Sequence, residues 1–135
     1  MLMLWNDNLK TGLPRIDEQH KELFRQVEAL MDKSKADRIP AALKFLGDYV
    51  VKHFNDEMAL QVSVRYPKAE AHKKLHSAFA AKFKELKKKF EDSGDKLRFQ
   101  VVTEINRTAI SWLKEHIMVQ DKDFAEFYKK FHRSA

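Results

Sequence analysis

The chain has 135 residues, six histidines and no cysteine, and its 26 basic and 20 acidic residues give a formal net charge of +6. The lack of cysteine excludes disulfide scaffolds, thiolate zinc sites and iron–sulfur clusters, so histidines and carboxylates must hold any metal. Three glycines, three prolines and 44% hydrophobic residues argue against an all-β fold and against disorder, and the length fits a single domain over residues 1–135.

An amino-terminal arm runs from Met1 to about Ile16 and contains Gly12 and Pro14, which favour turns and extended chain over helix. Residues 1–9 lack the basic and apolar regions of a secretory signal, and no stretch approaches the ~20 apolar residues of a membrane span. We therefore expect a soluble protein of the cytoplasm.

Apolar residues recur at helical spacing after this arm. The first predicted helix opens at Asp17, which has the character of an N-cap residue, and continues to Met31. A polar segment, residues 33–39, separates it from a second predicted helix. That helix has Pro40 in its first turn, where the missing amide hydrogen costs nothing, and ends near the turn at residues 64–67.

The third predicted helix follows Pro67, has the most regular apolar pattern of the chain and stops at residues 92–94. The fourth presents an inward side from Val101 to His116. A short final helix or turn is indicated by Phe124, Phe127 and Phe131. Because the connections are short, the four long helices predict an all-α, up-down-up-down four-helix bundle with an N-terminal arm and a short C-terminal helix.

Five histidines and one glutamate occupy helical positions where a bundle ordinarily has Leu or Phe. They are His20, His53, His72, His76, His116 and Glu57. A buried polar group without a partner costs about 2–7 kcal/mol in the least favourable reference. Six such groups would unfold a domain whose total stability is about 5–15 kcal/mol, so these side chains must be compensated.

These six residues share one end of the predicted bundle. In an antiparallel bundle, the start of the first helix, the end of the second, the start of the third and the end of the fourth meet at the same end. The six residues occupy these four places. Four-residue spacing also puts His53 on the same face as Glu57, and His72 on the same face as His76, about 5–6 Å apart. The side chains are therefore predicted to converge on one layer and to address neighbouring metal positions.

Asp121 is a further candidate, five residues beyond His116. Five steps of an α-helix rotate a side chain about 140° away from the starting face, so a regular helix would not deliver both groups to one site. We therefore expect a wider turn or bulge near residues 118–120. His132 matches no motif and is predicted to be a solvated residue of the tail.

The segments IDEQHKELF, HFNDE, HKKLH and WLKEHIMVQD resemble, in order and spacing, the ligand motifs of the hemerythrin family, in particular its bacterial single-domain members. The resemblance covers nearly the whole chain, including the arm with Trp5 and the turn at Tyr66. Met58 and Gln61 depart from the family's usual pattern, which more often has an acid and a methionine at these places.

The resemblance implies two non-haem iron ions joined by an oxo or hydroxo bridge, and imidazoles and carboxylates suit iron. Carried over residue by residue, it gives two bridging carboxylates, three histidines on one iron and two on the other: Glu57 and Asp121; His72, His76 and His116; His20 and His53. One position is then open on the two-histidine iron. By resemblance, O2 enters there, takes one electron from each iron, and returns both on release.

Reversible binding requires a small dry pocket, because water and excess protons would promote oxidation. The family's pattern places Leu113 and Trp112 beside this pocket, and Phe24, Phe54 and Ile117 are further candidates. The predicted function is carriage, storage or buffering of O2. Because no substrate is turned over, we do not expect an enzyme.

Two other functions stay open at this stage. The same centre could act as an enzyme on peroxide, nitric oxide or ferrous iron, or it could belong to an oxygen- or iron-sensing module. The many lysines of the third helix are typical of a solvated helix face. Neither a glycine-rich phosphate loop nor the interleaved aromatic pattern of nucleic-acid binding accompanies them. We therefore expect O2 as the partner and neither nucleic acid nor a membrane, and the sequence does not identify a protein partner.

Overall fold

The computed structural model describes residues 5–32 and 37–133, and within them the regular structure is helical. Its α-helices are Pro14–Ala29 (α1), Ile39–Ser63 (α2), Ala69–Asp92 (α3), Asp95–His116 (α4) and Lys122–Arg133 (α5). A 3-10 turn at Asp7–Leu9 precedes α1, and a π-helix at Ile117–Asp121 joins α4 to α5. The start of the predicted arm, residues 1–4, and residues 33–36 of the predicted polar segment lie outside the described part of the chain.

The four long helices form the predicted bundle. Helix α1 packs against α2 and α4, α2 packs against α3, and α3 packs against α4, so each helix contacts its neighbours in sequence and the circle is closed. The predicted apolar stripes face inward, and their fully buried members include Leu23, Leu46, Leu86 and Ile105. Both the all-α class and the four-helix bundle are therefore confirmed.

The start of α1 differs from the prediction. The helix begins at Pro14, so Asp17 lies in its first turn and is not the N-cap residue. Its buried carboxylate accepts hydrogen bonds from the backbone of Thr11 at 2.8 Å and of Gly12 at 3.2 Å, and from the Thr11 hydroxyl at 2.8 Å. Gly12 has a φ of +89°, a conformation that favours glycine. Asp17 therefore fastens the arm to the bundle.

The final helix, α5, covers the end of the bundle at which α2 gives way to α3. Phe124 is buried and packs in one cluster with Val64 and Tyr66. The Tyr66 hydroxyl donates a hydrogen bond to Asp123, and Lys68 approaches the same carboxylate at 3.2 Å. The short C-terminal helix is thus confirmed, and His132 is exposed as predicted. Among the described residues, no helix is both long and apolar enough to cross a membrane.

Candidate metal centre

All seven candidate ligands lie in one buried layer of the bundle. They come from the four long helices and the π-helix: His20 from α1, His53 and Glu57 from α2, His72 and His76 from α3, His116 from α4, and Asp121 from the π-helix. None of these residues is more than 4% exposed. The predicted convergence at one end of the bundle is therefore observed in the structure.

The ligand atoms fall into two groups that share their carboxylates. One group contains Glu57, His72, His76, His116 and Asp121, and the other contains His20, His53, Glu57 and Asp121. Within each group, the ligand atoms all lie within 4.8 Å of one another. This division suggests two adjoining metal positions that have two carboxylates in common.

In the three-histidine group, neighbouring ligand atoms are about 3 Å apart. The Nε2 atom of His72 lies 2.7 Å from Glu57 Oε1 and 3.1 Å from Asp121 Oδ1. His76 Nε2 lies 3.1 Å from Glu57 Oε1 and 3.0 Å from His116 Nε2. Ligand atoms about 2.1 Å from a common ion and at right angles to each other are separated by about 3.0 Å, so these spacings fit adjacent positions around one ion.

Asp121 faces both groups with different oxygens. Its Oδ1 atom lies 3.1 Å from His116 Nε2, whereas its Oδ2 atom lies 3.0 Å from His20 Nε2. The rings of His20 and His53 are close neighbours on this second side, with their centroids 4.7 Å apart. A carboxylate oriented in this way can bridge two ions.

The π-helix explains how Asp121 reaches the same layer as His116. Hydrogen bonds from residue i to i+5 widen the turn, so a step of five residues returns a side chain to the same face. The bulge spans Ile117–Asp121 and includes residues 118–120, where the sequence predicted it. The five-residue interval between His116 and Asp121 is thereby reconciled with one site.

Unpartnered polar atoms test whether these residues suit a metal. Among the described residues, twelve buried side-chain nitrogen and oxygen atoms have no hydrogen-bond partner, and nine of them belong to six of the candidate ligands. Both oxygens of Glu57 and both of Asp121 are in this set. A buried polar atom without a partner costs about 1–3 kcal/mol, and carboxylate oxygens in this set face histidine Nε2 atoms. Cations at the two positions would satisfy most of them, and the donor set fits iron.

The protonation states of the site also suit metal binding. Burial, and next the neighbouring His20, lowers the pKa of His53 to about 4, and burial lowers the pKa of His76. Burial raises the pKa of Asp121, but the nearby histidines, His116 first, outweigh it and hold this pKa well below its ordinary value. Neutral imidazoles and an ionised carboxylate are the forms that bind metals.

His72 has the opposite shift. Burial opposes its protonation, but the adjacent carboxylates of Asp121 and Glu57 outweigh this effect and raise the pKa of His72 to about 9. The same contacts with histidines keep the pKa of Glu57 below its ordinary value although burial and Asp121 raise it. A proton on His72 thus balances part of the buried negative charge, and metal binding releases such protons.

The predicted O2-pocket residues belong to the main apolar cluster of the bundle, which extends from this layer into the rest of the core. Phe24, Phe54, Leu113 and Ile117 are buried there, and Trp112 is half-buried against it. The ring of Phe54 stacks on His76 at 3.8 Å, and the ring of Trp112 stacks on His116 at 4.2 Å, measured between centroids.

The two aromatic rings therefore cover histidines of the three-histidine group. An open groove of about 290 Å³ reaches one of the candidate ligands, because its lining includes His72 together with Tyr66, Leu75 and Val119. The assignment of an O2 pocket to the five apolar residues remains a prediction.

Two buried glutamines next to the ligands were not singled out from the sequence as functional residues. Gln19 accepts a hydrogen bond from His53 Nδ1 at 2.7 Å through its Oε1 atom. Gln61, one helical turn after Glu57, is fully buried, and neither its nitrogen nor its oxygen has a side-chain partner. The only sequence signals were the position of Gln19 beside His20 and the departure of Gln61 from the usual pattern.

Comparisons with known proteins agree with this geometry. Residues 11–128 match the family described as the hemerythrin HHE cation binding domain. A bacteriohemerythrin of Pseudomonas paraeruginosa is 30% identical over 92% of this chain and 80% of its own length, and a bacteriohemerythrin of Clostridium acetobutylicum is 27% identical over 93% of this chain and 100% of its own length. A myohemerythrin of Theromyzon tessulatum is 27% identical over 87% of this chain and 86% of its own length.

Proposed function

Because the chain belongs to the hemerythrin family, we propose that it binds O2 reversibly at a non-haem di-iron centre inside its four-helix bundle. The observation that carries this proposal is the shared pair of buried carboxylates between a three-histidine and a two-histidine group. Two iron ions, when bound, supply the two electrons that O2 takes up and gives back.

The ligand assignment follows the two groups. His72, His76 and His116 would hold one iron, His20 and His53 would hold the other, and Glu57 and Asp121 would bridge them. The separate oxygens that Asp121 turns to His116 and to His20 support its bridging role. The position with two histidines has fewer protein ligands, so it is the one that we assign to O2.

The surrounding side chains would keep the site dry. Phe54 and Trp112 lie flat against two rings of the three-histidine group, and Leu113 and Ile117 are buried in the apolar cluster. On the other side, the two histidines assigned to the O2-binding iron are at most 1% exposed. Exclusion of water limits the supply of protons, and this favours release of O2 over irreversible oxidation. A site with every ligand at most 4% exposed also argues against a bulky organic substrate.

We infer carriage, storage or buffering of O2 rather than turnover. The test is the iron content of the purified protein together with absorption spectra recorded under air and under nitrogen. We expect two irons per chain and a visible band that appears with O2 and disappears when O2 is removed. His132→Ala is the matched control, because it removes an exposed histidine, whereas His53→Ala should lose the reversible band.

Other outcomes would contradict this function. Sustained consumption of peroxide or nitric oxide in the presence of a reductant would identify an enzyme, and a protein that binds no iron would remove the proposal altogether. Fractionation of cells would test the cytoplasmic location, which we propose from the sequence.

A further inference from the structure

Gln19 links the metal layer to the surface of the bundle. It lies on α1 directly before His20, is 6% exposed, and reaches across to α2. Its Oε1 atom accepts the hydrogen bond from His53 Nδ1 at 2.7 Å, and its Nε2 atom donates to Asp56 Oδ2 at 2.8 Å. One amide therefore connects a candidate ligand to an acidic residue near the solvent.

The direction of these hydrogen bonds follows from chemistry. An ionised carboxylate can only accept hydrogen bonds, so the amide nitrogen of Gln19 must face Asp56 and its oxygen must face His53. An amide oxygen can only accept, so His53 must carry its proton on Nδ1. The other nitrogen, Nε2, is then free of a proton, and it is the atom that has no hydrogen-bond partner in the buried layer.

Asp56 is itself held in place by two cations. Arg15 Nη2 lies 3.2 Å and Lys52 Nζ lies 3.3 Å from Asp56 Oδ2, the same oxygen that accepts from Gln19. These cations hold the Asp56 carboxylate in its orientation, and their side chains are mostly exposed. A surface ion cluster thus fixes the amide orientation that in turn fixes a histidine in the core.

We propose that Gln19, oriented by Asp56, is a positioning residue that fixes the His53 tautomer with Nε2 free and thereby sets the affinity of the two-histidine metal position. This inference rests on the proposed metal centre. Groups that hold the second nitrogen of a metal-binding histidine typically change metal affinity by about 10- to 100-fold when they are removed. His53 is the candidate ligand to which Gln19 is hydrogen-bonded. The change in metal affinity should therefore be confined to the two-histidine position.

The test compares variants of the full chain in metal-free form and during titration with Co²⁺ alone. In the metal-free wild type, long-range ¹H–¹⁵N spectra should show His53 protonated at Nδ1, and the chain should bind two Co²⁺ ions. Gln19→Leu should shift the His53 proton to Nε2. It should also raise the dissociation constant for Co²⁺ at one of the two positions by about 10- to 100-fold. General destabilisation would instead weaken both positions.

Three further variants keep the test sharp. Gln26→Leu on the same helix removes a glutamine that donates to Glu22 instead and should leave the tautomer and both constants unchanged. Asp56→Ala should weaken the same position as Gln19→Leu, but less. The double variant Gln19→Glu with Asp56→Asn exchanges the two groups. The new carboxylate at position 19 would accept from His53 Nδ1 and from the new amide at position 56, so the proton of His53 should return to Nδ1.

The inference is overturned if Gln19→Leu leaves the tautomer and both constants unchanged, or if it weakens both positions equally, while the wild type still binds two ions. A wild type that binds no Co²⁺ overturns the proposed metal centre and, with it, the assignment of Gln19 to metal affinity. The spectra of the metal-free variants separate these cases, because they report the hydrogen bond of Gln19 without any metal.

Discussion

The buried side chains around the metal layer differ in chemistry, and single substitutions can separate their roles. Leu113 is 3% exposed and lies in the apolar cluster with Phe54 and Ile117. Leu113→Asn would place an amide in this cluster and attract water. We expect the variant to lose reversible oxygenation severalfold faster than the wild type, measured as the half-time of the O2-dependent absorption band in air.

Leu86→Asn is the matched control for Leu113→Asn. Leu86 is 2% exposed, but it lies on α3 ten residues beyond His76, which is about 15 Å along a helix. It should reduce the free energy of unfolding without shortening the lifetime of oxygenation at a temperature where both variants are folded. Equal half-times for Leu113→Asn and the wild type would remove Leu113 from the pocket.

For Gln61, we expect a substitution to stabilise the metal-free chain. Its amide is fully buried without a side-chain partner, so Gln61→Met, which keeps the shape and removes the polar atoms, should raise the free energy of unfolding by about 1–3 kcal/mol. Urea denaturation of metal-free protein measures this, and exposed Gln100→Met should change it by less than about 0.5 kcal/mol. A loss of stability in Gln61→Met would show that the amide has a partner, such as a buried water.

At the scale of the elements, periodicity was sufficient to predict the helices and most of the candidate site. Histidines on apolar stripes had to lie inside the bundle, and their places along four antiparallel helices put them at one end. Asp121 needed one more inference, since its five-residue interval from His116 required the wider turn that the π-helix at Ile117–Asp121 provides.

Other features depend on contacts between elements that no local pattern specifies. The link from Gln19 to His53 requires the rotation of α1 against α2, which spacing within one helix does not determine. Asp17 has the residue type of an N-cap, but Pro14 is already suited to the first turn, so the helix starts earlier and Asp17 binds the arm instead. The extent of the domain, residues 1–135, stays a prediction.

The contact between the α2–α3 turn and α5 gives a prediction that depends on pH. The hydrogen bond from Tyr66, and next that from Lys68, lowers the pKa of Asp123 below 3.8 despite some burial. A lowered carboxyl pKa stabilises the folded state above the ordinary value, and this contribution is lost as the pH falls from 3.8 through the lowered value.

Tyr66→Phe should therefore reduce the free energy of unfolding by about 1 kcal/mol near neutral pH. The difference from the wild type should shrink as the pH falls below 3.8, because protonated Asp123 no longer favours the folded state. Chemical denaturation of the metal-free chain at several pH values measures this, with Tyr128→Phe on α5 as the control. A difference that stays constant down to the lowest pH at which the chain folds would contradict the role of Asp123.

At the scale of the whole molecule, the metal layer joins elements that otherwise meet through apolar packing. Its seven candidate ligands come from all four long helices and from the π-helix, so bound cations would tie these elements together at one end. Without metal, the same layer holds two buried carboxylates that face histidine nitrogens about 3 Å away. Metal binding and the stability of the bundle should therefore be coupled.

Removal of the metal should accordingly lower the melting temperature. A ligand present at 100 times its dissociation constant stabilises the folded state by about 2.7 kcal/mol, and 1 kcal/mol shifts the melting temperature of domains near this size by about 2–8 °C. Calorimetry before and after chelation should thus show a decrease of about 5–20 °C. His132→Ala should show the same decrease in melting temperature. Glu57→Ala, which lacks one of the two carboxylates proposed to bridge the ions, should show a smaller decrease. Equal melting temperatures for the loaded and chelated wild type would mean that the seven side chains meet without binding a cation.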